Sequence, residues 1–222
     1  MGVSIPRDLS VVGFDDVRGT LLLRDPSQPY LVETPADDFL KRYQAFGPHG
    51  MVFVPVAEKS RLDGVTLPDS EIRDEYHRFW TALSKHDRAG AAERLAGMDR
   101  AYPGHVLTYR ARADLAVYDA NSAEQALCLD KLLAMFPDSG ALLMQRLGCL
   151  RDAPSEERIR FLEAACSRAE PEPVLFIELA RALSADARAL DRAKHWLRRG
   201  LRVRSMDSNA ICVKADLLWE EG

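Results

Sequence analysis

The sequence predicts a mainly α fold built from repeated helix pairs, preceded by a small α+β segment at the amino end. Three observations point there. Pro103, Pro137 and Pro171 stand 34 residues apart, twice in succession, and each closes one helical pattern and precedes another. The hydrophobic period changes near residue 56, from short strand-like runs to a helical spacing that then continues along the chain. Between the two lie residues 56–69, where Asp63-Gly64, Pro68 and several charges break any period and mark a linker.

Taken in order, residues 9–12 and 20–23 are short β-branched or apolar runs, and Asp15-Asp16-Val17-Arg18-Gly19 between them supplies turn chemistry, so they form a hairpin. A helix is expected over 36–45, with Pro35 at its first turn, Phe39, Leu40 and Tyr43 on one side, and Gly47-Pro48 as the stop. Residues 50–54 then form a buried strand ended by Pro55. Asp69 or Ser70 caps the first helix of the repeated region. Tyr76, Phe79, Trp80 and Leu83 share a face of that helix, and Ala91, Leu95 and Met98 follow on the next. Further pairs span 106–118 with 123–136, 141–150 with 156–169, and 174–183 with 190–203; a last helix, 208–219, has no partner.

Within these pairs Leu147-Gly148, and Leu179-Ala180 one repeat later, occupy one corresponding place in the first helix. Ala193 and Gly200, seven apart, are small residues of a second helix, and Pro137-Asp138 closes a pair. By these residues the chain from about 70 to 222 resembles the tetratricopeptide repeat family, in degenerate form. The resemblance implies a superhelix of about nine helices in which at least three pairs must stack to bury their apolar faces. It also implies a groove lined by the first helices that takes a protein or peptide partner. Inward positions on those helices are Arg73, Tyr76 and Trp80, then Arg110 and Asp114, then Gln145, Glu178, Asn209 and Asp216.

The amino segment carries Val11-Val12-Gly13-Phe14-Asp15-Asp16, the run from Arg18 to Ser27, Phe39-Leu40, and Phe46-Gly47-Pro48-His49-Gly50-Met51. Together these resemble the second half of the double-glycine, bacteriocin-processing type of papain-like cysteine peptidase, which occurs in large bacterial proteins fused to tetratricopeptide repeats. The resemblance implies that Asp25 is the acid that orients the catalytic histidine, and it puts Arg7 at the histidine's place. A guanidinium stays protonated and cannot act as a base. The nucleophilic cysteine belongs to the half without a counterpart here, so residues 1–55 are a peptidase-like remnant and no catalysis is expected of this chain by itself. The runner-up reading makes the chain the carboxyl-terminal part of such a peptidase. Residues 5–16 also resemble a segment of the effector-binding domain of lactose-repressor-type regulators, a likeness that stops at Asp16. The strands of a half-domain would keep a poorly covered face at Val11, Leu22 and Phe53, and self-association through residues 1–55 is expected.

Composition narrows the function further. Thirty Lys and Arg against 34 Asp and Glu leave a net charge of −4, which offers no footprint for nucleic acid or an anionic membrane. No apolar run is long enough for a membrane helix, and the first residues lack signal-peptide character, so the expected compartment is the cytoplasm. Cys128, Cys149, Cys166 and Cys212 lie inside helical patterns without pairing motifs and are expected to be buried apolar residues. The five histidines have no metal-ligand spacing and serve as surface or capping groups. The basic stretch 195–204 is absorbed by helix packing through Trp196, Leu197, Leu201 and Val203. No phosphate loop or hydrolase motif occurs, and no cofactor or metal is expected.

Overall fold

The computed structural model describes residues 10–24, 29–44, 55–65, 68–168 and 171–219. Strands β1 (Ser10–Asp15) and β2 (Thr20–Arg24) form the expected hairpin. Its turn is closed by the Asp15 carboxylate, which accepts the Val17 and Arg18 N–H groups at 2.9 and 3.0 Å, as turn-forming Asp does. Gly19 follows at φ +62°, a conformation that L side chains resist. A third strand, β3 (Leu31–Pro35), completes a sheet in the order β1-β2-β3 and was not expected. Its residues alternate between exposed and half-buried, and the Thr20 hydroxyl donates to Glu33 at 2.8 Å. Helix α1 (Ala36–Gln44) follows where expected. The strand expected over 50–54, with Phe53, lies outside the described residues. In the expected linker Val56–Leu62 forms short 3-10 turns broken at Glu58, with no residue buried.

The remaining helices fall into two compact units, one including Glu33–Phe136 and the other Pro137–Gly222. In the first, α2 (Ser70–Ser84) packs on α3 (Arg88–Ala101) and α4 (Val106–Tyr118), and α4 packs on α5 (Ser122–Met135). In the second, α6 (Gly140–Gly148) meets α7 (Ser155–Cys166), which packs on α8 (Pro173–Ser184). Helix α8 packs along α9 (Leu190–Val203), and α10 (Ser208–Trp219) lies on both.

The repeat is written in the backbone more plainly than in the side chains. His86 and Ala120, 34 residues apart, both adopt positive φ, 60° and 53°, between the helices of a pair. The next residues, Asp87 and Asn121, then cap α3 and α5 by accepting from Gly90 N–H at 2.9 Å and Glu124 N–H at 3.1 Å. Second helices also end alike. The N–H groups of Tyr102, Phe136 and Arg204 donate to Met98, Leu132 and Gly200 at 2.8, 2.8 and 2.9 Å. Pro103 and Pro137 come immediately after, where the helical bonding has stopped.

Two local expectations meet different outcomes. Asp69 does stand at the start of α2, but at φ 58° and without a capping bond from its side chain. Its carboxylate instead faces His105 at 3.8 Å, and His105 caps α4 by accepting the Leu107 N–H at 3.1 Å. The small residues of α9, which the tetratricopeptide resemblance implies let neighbouring helices approach closely, do so at Gly200. Ala193 and Gly200 are buried, and a Cβ on Gly200 would lie 2.7 Å from Ile177 Cγ1. That distance is too short for any methyl group, so the α8–α9 approach requires glycine there.

Candidate functional site

Of the residues expected on the groove in the first unit, Tyr76 of α2 meets Arg110 and Asp114 of α4. Tyr76 donates its hydroxyl to Asp114 Oδ2 at 2.8 Å, and Arg110 Nε lies 3.6 Å from Asp114 Oδ1 one turn earlier on the same helix. Burial raises the Asp114 pKa above its ordinary value, while Arg110 and the Tyr76 hydroxyl pull it back. Burial, then the Asp114 charge, pushes the Tyr76 phenol far above its usual range, so it stays a donor. The Tyr76 ring stacks on Phe79, with centroids 6.1 Å apart. The Tyr76 hydroxyl and the Asp114 carboxylate therefore satisfy each other, with Arg110 as the ion-pair neighbour. Arg73 is half-buried one turn before Tyr76, and Trp80, one turn after it, remains 54% exposed.

In the second unit the expected groove residues behave differently. Gln145 is half-buried on α6, and its backbone carbonyl accepts from Cys149 Sγ at 3.6 Å. Glu178 sits in the buried run Leu175–Ala180 of α8. Its carboxylate is held by Arg158 of α7 at 3.3 Å and Arg181 of its own helix at 3.2 Å. The Glu178 carboxylate ties α7 to α8 through Arg158, and removing it would leave that half-buried guanidinium without its ion-pair partner. Asn209 is half-buried and Asp216 exposed on α10.

Burial raises the Cys128 thiol to about 11 and the Cys166 thiol to about 12. Both stay protonated near neutral pH, which removes the thiolate that nucleophilic attack needs. The expectation of buried cysteines holds for Cys128 and Cys166, is met only in part at half-buried Cys149, and fails at Cys212, which is exposed on α10 because it lies on the opposite side from buried Ala210, Val213 and Leu217. The two positions singled out by the peptidase resemblance, Arg7 and Asp25, lie outside the described residues, as does His49. No cluster of three metal-ligating side chains occurs among the described residues, nor is any helix there long and apolar enough to cross a membrane.

Helix pairs whose turns and ends recur at 34 residues define a tetratricopeptide-like helical fold. A tetratricopeptide repeat protein from Parabacteroides merdae shares it, with a TM-score of 0.57 at 14% sequence identity. The match covers 68% of this chain and 60% of that protein, so the chain spans less than two thirds of its neighbour. The likeness is one of fold, and it lends the peptidase resemblance no support. No family model and no curated protein matches the chain.

Proposed function

We propose that the chain is a non-catalytic interaction module that binds a protein or peptide segment along its first helices, with residues 70–222 as the binding array. Repeat folds of this kind present extended binding surfaces, although the fold by itself names no ligand. The observation that carries the reading is Trp80. A large aromatic left open on α2, beside a polar group that is already internally satisfied, is the kind of anchor that dominates an interface. Arg73 and Tyr76 share α2 with that anchor, Arg110 and Asp114 stand on α4, and within the second unit the first-helix position on α6 is Gln145. Glu178 serves it indirectly, by fixing α8. Selecting peptides from a random display library on the full chain tests this. Trp80→Ala is expected to weaken the selected peptides by about 2 kcal/mol, roughly thirtyfold, and peptides indifferent to Trp80 and Arg73 would place binding elsewhere.

The amino segment supports a second interaction. Val11, Val12 and Phe14 of β1 are exposed, at the side of the sheet away from β3. An apolar edge strand pairs readily with another chain, so we propose that residues 1–55 mediate self-association. Sedimentation of the full chain is expected to show concentration-dependent association that Phe14→Asp abolishes. A monomer at high concentration would refute it.

A further inference from the structure

Helix α9 carries His195, Arg198, Arg199 and Arg202 at the i, i+3, i+4, i+7 spacing that puts all four on one side. All are exposed, and together they line one shallow depression. Packing accounts for them only in part: His195 lies edge-on to Trp196 at 5.4 Å and Arg199 covers a ring pair, whereas no such contact holds Arg198 or Arg202 among the described residues. The inner side of α9 is made by Ala193, Leu197 and Gly200, while Val203, expected to pack, is 67% exposed. Several arginines elsewhere sit on carboxylates, among them Arg88 on Asp119, Arg112 on Asp99, Arg158 on Glu178 and Arg192 on Glu163. On this face no carboxylate meets Arg198, Arg199 or Arg202 among the described residues. Arg198 Nε donates to the Lys194 carbonyl at 3.3 Å. The Arg199 guanidinium lies over the rings of Phe176 and Trp196, 4.4 and 4.9 Å from their centroids.

We propose that this face docks an acidic helical segment of a partner protein, whose carboxylates recur every three to four residues. The four side chains span two helical turns, about 10 Å at the usual rise, which matches two turns of a facing helix. Guanidiniums receive carboxylates bidentately, and an unneutralised cationic strip on a chain of net charge −4 selects for local acidic complement. Single-stranded nucleic acid fits less well. Bases need open aromatic faces to stack on, and here Phe176 is buried, stacked on Trp196 at 5.6 Å and covered by Arg199. The overall negative charge also opposes a long polyanion. This surface lies on the second helix of its pair and is independent of the first-helix reading.

Fluorescence anisotropy on the full chain tests the proposal with three labelled probes: a synthetic helical peptide with Glu at i, i+3, i+4 and i+7, a peptide of the same composition with that spacing scrambled, and oligouridine. The ordered acidic peptide is expected to bind, and to weaken as salt rises. Replacing Arg198→Glu together with Arg202→Glu should lower its affinity about tenfold or more, whereas Arg100→Glu on α3 should leave it unchanged. Arg199 is kept, since it packs on the rings; Arg198→Gln with Arg202→Gln serves if the reversed pair loses its helical circular dichroism. The proposal is overturned if the ordered peptide does not bind, if the folded double variant binds it as well as the original chain, or if the scrambled peptide equals it. Preference for oligouridine over the peptide would also overturn it, in favour of nucleic acid.

Discussion

Replacing Phe79 with Ala is expected to destabilise the first unit by about 3–5 kcal/mol, while Trp80→Ala, one residue on, changes stability by no more than about 0.5 kcal/mol. Phe79 is fully buried and packs in a cluster with Ile72, Ala91, Leu95, Met98, Leu107 and Ala111, which draws on α2, α3 and α4 at once. Truncation removes the ring from all three helices and leaves a cavity that fixed helical backbones close only in part. It also takes away the ring on which Tyr76 stacks, so the Tyr76–Asp114 hydrogen bond should weaken. Chemical denaturation of the two variants checks this. Equal losses from both substitutions would show that the assignment of the α2 faces is wrong.

The pair of substitutions illustrates what sequence could and could not convey. Helical spacing puts Phe79 and Trp80 on the same broad apolar side, and only packing against α3 and α4 separates a core ring from an open one. Helix bounds were legible because their causes are local: α4, α9 and α10 begin and end where expected, at caps, turns and prolines. Strand β3 was not, since its short alternation between Pro29 and Pro35 gains meaning only from pairing with β2. Glu178 was placed on the groove by register alone. Its surroundings, Leu175, Phe176, Ile177 and Leu179, were a signal in the sequence that this carboxylate would be buried and need cationic partners. Arg110 and Asp114 likewise stand four apart, the spacing at which opposite charges satisfy each other on one helix. Cations at 195, 198, 199 and 202 formed a visible stripe whose meaning changed once the packing side of α9 was known.

Leu147→Ala is expected to cost about 2–5 kcal/mol in the second unit, and the distribution of that loss matters more than its size. Leu147 is buried near the end of α6, which spans only nine residues. So short a helix has little stability of its own and depends on the contacts of its apolar face. Those contacts are made by Leu142, Leu143 and Leu147, all buried. Helix α6 meets α7, and α7 packs on α8, so the loss has a route to travel. In a stack of repeats, stability is a sum of each unit's own term and the interface with its neighbours, so weakening one member lowers the protection of the next. Native-state hydrogen exchange should therefore rise first in α6, then in α7 and more weakly in α8, while α10 changes least because it rests on α8 and α9 rather than on α6. Faster exchange confined to α6, with α7 unchanged, would mean that the helix pairs are held independently and that stacking does not carry the stability of this unit.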